Sequence, residues 1–278
     1  MATTCPYFRF SFFFEHMCSD PFSMILISFK QDKPLACIFD MDGLLIDSES
    51  VYTAVTNEIL ANHGIEERLT WEIKSKVMGL PQGEANRVLI DHYKLPLTPA
   101  ELAAVMAPLQ STMFSKVQPM SGALDLLVTL VKNKVPIALA TSSRSSTYVY
   151  KTTHLPHLFS HFPPHAIVKG DDPRVKNGKP NPDIFIEAAK TLGLTTEEEW
   201  RRCIVFEDGI PGVEGAKKAG MKVVWVPDEG MKKALKEEDL GKVEGVDVLR
   251  SLKEWEPRKY GFNWDIEESS EIQSLKGE

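Results

Sequence analysis

Apolar residues along the chain follow two different spacings. Continuous apolar runs at residues 35–39, 136–140, 166–168, 203–206 and 222–226 have the length and content of strands buried on both faces. Between them, apolar positions recur every three or four residues, the repeat of an amphipathic helix. Val51, Tyr52, Val55, Ile59 and Leu60 mark the first helix, with Asp47-Ser48 as its start and Asn62-His63-Gly64 as its end. Three more are predicted over 70–77, 82–93 and 99–116, broken by Gly79-Leu80-Pro81 and Leu95-Pro96. Later helices are predicted over 124–132, 145–153, 182–192 (capped by Asn181, Pro182 at its first position) and 211–219, where Gly220 stops the last. Residues 230–260 read as one or two closing helices.

Strand and helix thus alternate from residue 120 onward, whereas about seventy residues between Ser48 and Pro119 are helical without an intervening strand. The expected fold class is α/β: a Rossmann-like, doubly wound parallel sheet core with an inserted helical cap. The core takes residues 34–48 and 119–262 and the cap 49–118, with hinges near Ser48 and Pro119. Residues 1–33 crowd Phe8, Phe10, Phe12, Phe13 and Phe14 together, but Glu15, His16 and Asp20-Pro21 interrupt the run before it could span a membrane. This stretch is expected to be a poorly ordered extension, and 263–278 an acidic, solvated tail.

Composition narrows the partners. A chain of 278 residues, 43% hydrophobic and 26% charged, is ordinary for a soluble globular protein. A net charge of -7, from 32 basic and 39 acidic residues with no basic run, argues against nucleic-acid partners and against an anionic membrane surface. The four cysteines, Cys5, Cys18, Cys37 and Cys203, have neither CxxC nor zinc spacing and read as reduced core thiols. A cytoplasmic location is expected. Residues 1–33 lack a secretory signal, and a mitochondrial presequence would carry more Arg and Ser, though that role stays open.

The chemistry gathers at strand ends. The first strand stops in Asp40 and Asp42, followed by Gly43, which permits a tight chain reversal. Two like charges at the end of a core strand are costly unless a cation or a shared proton offsets them. One such carboxylate has the chemistry to attack phosphorus and the other to protonate a leaving oxygen. The alternative is a solvated Asp42-Gly43 turn with Asp40 as a cap. Thr141 ends the second strand, Lys179 lies in the loop before a later helix, and Glu207-Asp208 ends the fourth strand. If the first and fourth strands are neighbours, Asp40 and Asp208 face each other across a crevice, a hard-oxygen site suited to Mg²⁺. Histidine and thiol are absent from this set, which disfavours zinc.

Taken together these residues resemble the haloacid dehalogenase superfamily over residues 34–227. Phe-Asp-Met-Asp-Gly at 39–43 resembles its first motif, Thr141-Ser142-Ser143 its second, Lys179 in Gly-Lys-Pro its third, and Phe-Glu-Asp at 206–208 its fourth. The resemblance implies Asp40 as nucleophile and Mg²⁺ ligand, and Asp42 as general acid and base with its backbone carbonyl on the metal. It further implies Thr141, Ser142 and Lys179 around the phosphate, Asp208 as a metal ligand, and Glu207 as a brace for Lys179 or a metal-bound water. Glu207 alternatively caps the next helix. Residues 137–145, 170–185 and 203–219 look most like the subgroup containing pseudouridine 5'-phosphatase, and are also similar to glycerol-phosphate, deoxysugar-phosphate and FMN phosphatases. The expected substrate is a small phosphorylated metabolite.

Other candidates are weaker. His154, His157, His161 and His165 recur at three and four residues, but Pro156, Pro163 and Pro164 break any helix that would align them for a metal. Arg144 reads as a surface residue and Asp171-Asp172-Pro173 as turn chemistry. Asp47, Glu49 and residues 79–83 are candidates for the substrate side. Among activities, the second aspartate separates phosphate transfer from dehalogenation. The related sugar phosphomutases resemble one another in carrying a histidine twelve residues after the nucleophile, where this chain has Tyr52, so hydrolysis is favoured over a mutase. A phospho-acceptor signalling domain would place its acceptor on the third strand and carry no helical insertion. A non-catalytic binding module would be expected to have lost part of the acid, threonine and lysine set.

Overall fold

The computed structural model describes residues 33–78, 80, 82–234 and 242–264. The predicted extension, apart from Lys33, and the predicted tail from residue 265 lie outside the described residues. The chain runs β1 (Ala36–Phe39), α1 (Ser48–Asn62), α2 (Trp71–Val77), α3 (Gln82–Tyr93), α4 (Pro99–Phe114), α5 (Ala123–Lys132) and β2 (Ile137–Thr141). It continues with α6 (Ser145–Thr152), α7 (Pro156–Phe159), β3 (Ile167–Lys169), α8 (Asp183–Thr191), α9 (Glu197–Trp200) and β4 (Cys203–Glu207). The closing elements are α10 (Ile210–Lys218), β5 (Lys222–Trp225), α11 (Glu229–Ala234) and β6 (Asp247–Val248).

The six strands form one parallel sheet in the order β3-β2-β1-β4-β5-β6. β1, β2 and β4 are buried along their whole length because side chains alternate between two apolar layers. Cys37 and Phe39 face one layer with Ile204 and Phe206. Ala36 and Ile38 face the other with Cys203 and Val205. Phe39 stacks on Phe206 with ring centroids 4.7 Å apart and planes 4° from parallel. Such a pair adds about 0.5–1.5 kcal/mol beyond the area it buries.

Strand order reverses between β1 and β4, and crossovers leave in opposite directions from there, which opens a crevice beyond the carboxyl ends of these two strands. The helices α1–α4 form a lobe on that side. Asp47 starts α1 by accepting the Ser50 N–H at 3.1 Å, and a reciprocal Thr98–Glu101 capping box starts α4. Two crossings join lobe and sheet, and they lie against each other: Asp47 N–H donates to the Gln118 carbonyl at 2.9 Å and Met120 N–H to the Leu45 carbonyl at 2.8 Å. Trp71 of α2 also seats on Gly230 of α11, so closely that a Cβ on Gly230 would fall 2.0 Å from Trp71 Nε1.

The sequence reading needs correction in places. Among the described residues of the 230–260 region, Glu229–Ala234 forms one closing α-helix, and β6 with 3-10 turns at Leu252–Glu254 and Pro257–Tyr260 makes up the rest of the assigned structure. Trp255, Tyr260 and Phe262 pack into the same apolar layer as Phe206, with Trp255 edge to face on the Phe206 ring. The helix expected from Pro182 begins at Asp183 with Pro182 in the cap position, while Asn181 bonds back to the Gly178 carbonyl at 3.1 Å. Single turns at α7 and α9 were too short to show a period. Among the described residues no helix is long and apolar enough to cross a membrane.

Candidate active site

The register of β1 on β4 builds the site. Phe39 pairs with Phe206, and the Asp40 N–H donates to the Phe206 carbonyl at 3.0 Å, so the next residue of each strand emerges at the same level. Asp40, Glu207 and Asp208 are all buried, and each offers a carboxylate oxygen within 4.8 Å of the others. Lys179 enters from the loop before α8 and donates through Nζ to Asp40 Oδ1 at 2.5 Å and to Glu207 Oε1 at 2.6 Å. Glu207 Oε2 accepts the Gly209 N–H at 2.8 Å, so this carboxylate both braces Lys179 and ties down the residue that precedes α10.

Gly43 makes room for the cluster. It sits at φ +79°, and a Cβ there would lie 2.0 Å from Asp208 Oδ2. Both the left-handed backbone and the close carboxylate exclude a side chain.

Three carboxylates against one ammonium leave two negative charges uncompensated in a buried site. Burial pushes the Asp40 carboxyl up to about 7; Lys179 opposes this, and Glu207 and Asp42 add to it. Burial, then Glu207 and Asp40, push Asp208 well above the usual carboxylate range. A divalent cation would offset both charges, and a donor set made only of carboxylate oxygens fits a hard cation.

Asp42 lies in different surroundings. Lys151 of α6, fully buried, donates to Asp42 Oδ1 at 2.5 Å. Ser143 Oγ donates to Asp42 Oδ2 at 2.7 Å, and Thr141 Oγ1 reaches the same oxygen at 3.4 Å. Burial alone would raise this carboxyl, but Lys151 outweighs it and holds Asp42 below its ordinary value. The same ammonium also donates to Ser143 Oγ and to the hydroxyl of Tyr52 on α1, both at 3.0 Å.

The fold therefore brings Asp40, Lys179, Glu207 and Asp208 into one cluster, with Asp42 and Thr141 beside it. Ser142 is exposed at the end of β2, and it is Ser143, not Ser142, whose hydroxyl reaches a carboxylate. Arg144 is exposed at the residue preceding α6. Asp172 pairs with Arg174 at 2.7 Å, in keeping with a turn. Among the described residues the cluster of potential metal ligands holds no histidine. His154 Nε2 instead lies 2.9 Å from the Val117 carbonyl, next to the lobe crossing.

Lys151 was not anticipated. In sequence it is a lysine in the last turn of a polar helix, the signature of a solvated residue; only the packing of α6 against α4 and α1 buries it. Lys74 escaped notice for the same reason. It is buried on α2, pairs with Glu49 at 3.1 Å and lies 4.5 Å from the Trp71 ring centre.

The fold is thus a six-stranded parallel sheet with acid at its switch point. A family model described as haloacid dehalogenase-like hydrolase matches residues 37–226, and the chain belongs to that family. It is 44% identical over 231 residues to a protein of Saccharomyces cerevisiae named a probable pseudouridine-5'-phosphatase, covering 82% of this chain and 97% of the yeast protein. A Drosophila melanogaster protein of the same description is 40% identical over 226 residues, covering 81% of this chain and 93% of the other. Among solved structures, a putative beta-phosphoglucomutase from Thermotoga maritima superposes with a TM-score of 0.59 at 26% identity, covering 81% of this chain and 96% of that one.

Proposed function

We propose that the protein is a Mg²⁺-dependent phosphomonoesterase acting on a small sugar or nucleoside monophosphate of the pseudouridine 5'-phosphate kind, through an aspartyl phosphate, an acyl phosphate on Asp40. The observation that carries this reading is the division between two carboxylates two residues apart. Asp40 sits in the acidic cluster with Lys179, whereas Asp42 sits in its own ion pair with Lys151. Two carboxylates held by different partners, one inside the acidic cluster and one outside it, are suited to separate roles.

Asp40 attacks phosphorus, the bond from phosphorus to the ester oxygen breaks, and Asp42 donates a proton to the departing oxygen. The approaching phosphate supplies the negative charge that raises the proton affinity of Asp42 for this step. Water then attacks the phosphorus on Asp40 and gives a proton to Asp42, which releases inorganic phosphate, frees the Asp40 carboxylate and returns to Asp42 the proton it gave to the leaving oxygen. Lys179, Thr141 and the backbone N–H groups around Met41 and Ser142 receive the phosphate oxygens. Asp40, Asp208 and the Asp42 carbonyl would hold Mg²⁺, which supplies charge neutralisation for the attack of an anion on an anion. The α1–α4 lobe, residues 49–118, acts as the cap that meets the leaving group, hinged near Ser48 and Pro119.

A mutase needs a group that serves a second sugar hydroxyl. Tyr52 stands where the mutases that this family resembles have a histidine, and its hydroxyl accepts from Lys151. Hydrolysis is therefore favoured.

The test is phosphate release from pseudouridine 5'-phosphate, glycerol phosphate, deoxyglucose 6-phosphate and FMN, with Mg²⁺ or EDTA. Turnover should require Mg²⁺ and vanish in Asp40→Asn, and the preferred ester identifies the substrate class. Turnover that survives Asp40→Asn or EDTA refutes the mechanism. Isomerisation of a hexose phosphate without phosphate release would establish the mutase instead.

A further inference from the structure

Lys151 has no part in the phosphate-binding set, yet no described lysine side chain is more completely enclosed. Its surroundings come from both the sheet-side residues and the α1–α4 helices, the cap of the proposed function. From the core, Asp42 Oδ1 and Ser143 Oγ accept at 2.5 and 3.0 Å. From the cap, the Tyr52 hydroxyl of α1 accepts at 3.0 Å, and the rings of Tyr52 and of Phe114 on α4 face the ammonium at 5.0 and 4.5 Å. The two rings also pack edge to face at 5.1 Å, so α1 and α4, the first and last helices of the cap, present one aromatic wall to the lysine.

An ammonium has three donors, and here each finds one acceptor: Asp42, Ser143 and Tyr52. The geometry is complete only with the cap seated. Lifting α1 and α4 removes one hydrogen bond and both ring faces, admits water to the ammonium and loosens its hold on Asp42. Asp42 follows β1 on a turn, and in this arrangement Lys151 and Ser143 fix both of its carboxyl oxygens.

We propose that Lys151 is a positioning residue through which seating of the cap fixes the carboxyl of Asp42 for proton transfer to the leaving group. The proposal rests on the assignment of Asp42 as the general acid. Its consequence is that Asp42 is held in one orientation only after the leaving group has been enclosed. The aromatic wall of Tyr52 and Phe114 reports the cap position to the core through one side chain.

Leaving-group dependence distinguishes this role from a merely structural one. Transfer of phosphate to Asp40 is followed as single-turnover release of the alcohol, with enzyme in excess, so that later hydrolysis does not enter. Two esters are compared: glycerol phosphate, whose alkoxide must be protonated, and p-nitrophenyl phosphate, whose phenolate leaves unaided. A misplaced proton donor costs up to about 100-fold. Lys151→Met should slow release from the alkyl ester by about tenfold or more and from the aryl ester by less than about threefold. Tyr52→Phe, which keeps the ring and removes only the acceptor, should shift the same ratio in the same direction by a smaller factor, and it decides the matter should Lys151→Met fail to fold. Equal slowing of both esters in these variants, or none, overturns the proposal. Asp42→Asn is the reference: if it shows the leaving-group effect while Lys151→Met and Tyr52→Phe do not, the positioning role fails and the assignment of Asp42 stands. If Asp42→Asn slows both esters alike, the assignment of Asp42 fails and the positioning role with it.

Discussion

Gly212→Ala sets two physical effects against each other. Gly212 lies inside α10, where replacing glycine by alanine ordinarily stabilises a helix by about 1 kcal/mol. A Cβ at this position, however, would lie 1.6 Å from Glu207 Oε1 and 2.0 Å from its carboxyl carbon, and real contacts do not fall below 3.0 Å. The Glu207 carboxylate must therefore move by about 1.4 Å, the difference between 3.0 and 1.6 Å. That displacement breaks its 2.6 Å bond from Lys179 and its 2.8 Å bond from Gly209. A hydrogen bond to a charged group contributes about 1.5–3 kcal/mol and more where its loss strands a buried charge. Two such losses exceed the helical gain, leaving a net destabilisation of roughly 2–5 kcal/mol. In a domain of this size the melting temperature should fall by about 5–15 °C. Phosphate release should fall as well, because Lys179 loses the partner that holds it between strand ends. Thermal unfolding and phosphate release are measured beside Gly83→Ala, a helical glycine with nothing within 4 Å of its would-be Cβ, which should hold or slightly raise stability. A Gly212→Ala protein as stable and as active as wild type would refute the account of Glu207 as the brace of the site.

Two further outcomes follow from the buried groups. In the metal-free protein the Asp40 carboxyl stands near 7 against about 3.9 in an unfolded chain, so the folded state binds the extra proton between those values. The stability this group contributes is fully present below about pH 4 and is lost as pH rises through about 7. Because a cation replaces that proton, the rise in melting temperature on adding Mg²⁺ should be larger at pH 8 than at pH 5, and the difference should shrink in Asp40→Asn; a Mg²⁺ effect independent of pH would contradict it. Cys37 and Cys203 are fully buried, and burial pushes the Cys203 thiol up to about 12, so alkylation of the native protein followed by peptide mapping should leave both unmodified until denaturant is added. Rapid labelling of either in native buffer would show that the sheet opens locally.

Much of the site was legible because the residues that carry it end apolar runs. Asp40 and Glu207 each terminate a buried strand, and such strands are marked by composition alone. Their meeting was conditional in the sequence on the first and fourth strands being neighbours, and the pairing of β1 with β4 meets that condition. Other parts left no mark. β6 is two exposed residues, Asp247 and Val248, paired to β5 at the sheet edge, too short to show a run or a period. The sequence reading assigns roles to Thr141 and Ser142 and none to Ser143, and only the turn into α6 aims Ser143 at Asp42.

The sequence by itself determined the class of fold, the helical insertion after the first strand and the acidic residues at the switch point. Each of these depends on a local pattern: a run, a period, or a break next to a charge. Tertiary structure alone decided which charges are shared. Lys179 lies 139 residues from Asp40, and Lys151 lies 109 residues from Asp42, yet each ammonium bonds its carboxylate at 2.5 Å. A lysine's spacing in a helix does not reveal whether solvent or an aromatic wall will face it. That depends on which neighbours pack over the helix, and here α1 and α4 supply two rings that face Lys151 and set the surroundings of Asp42 apart from those of Asp40.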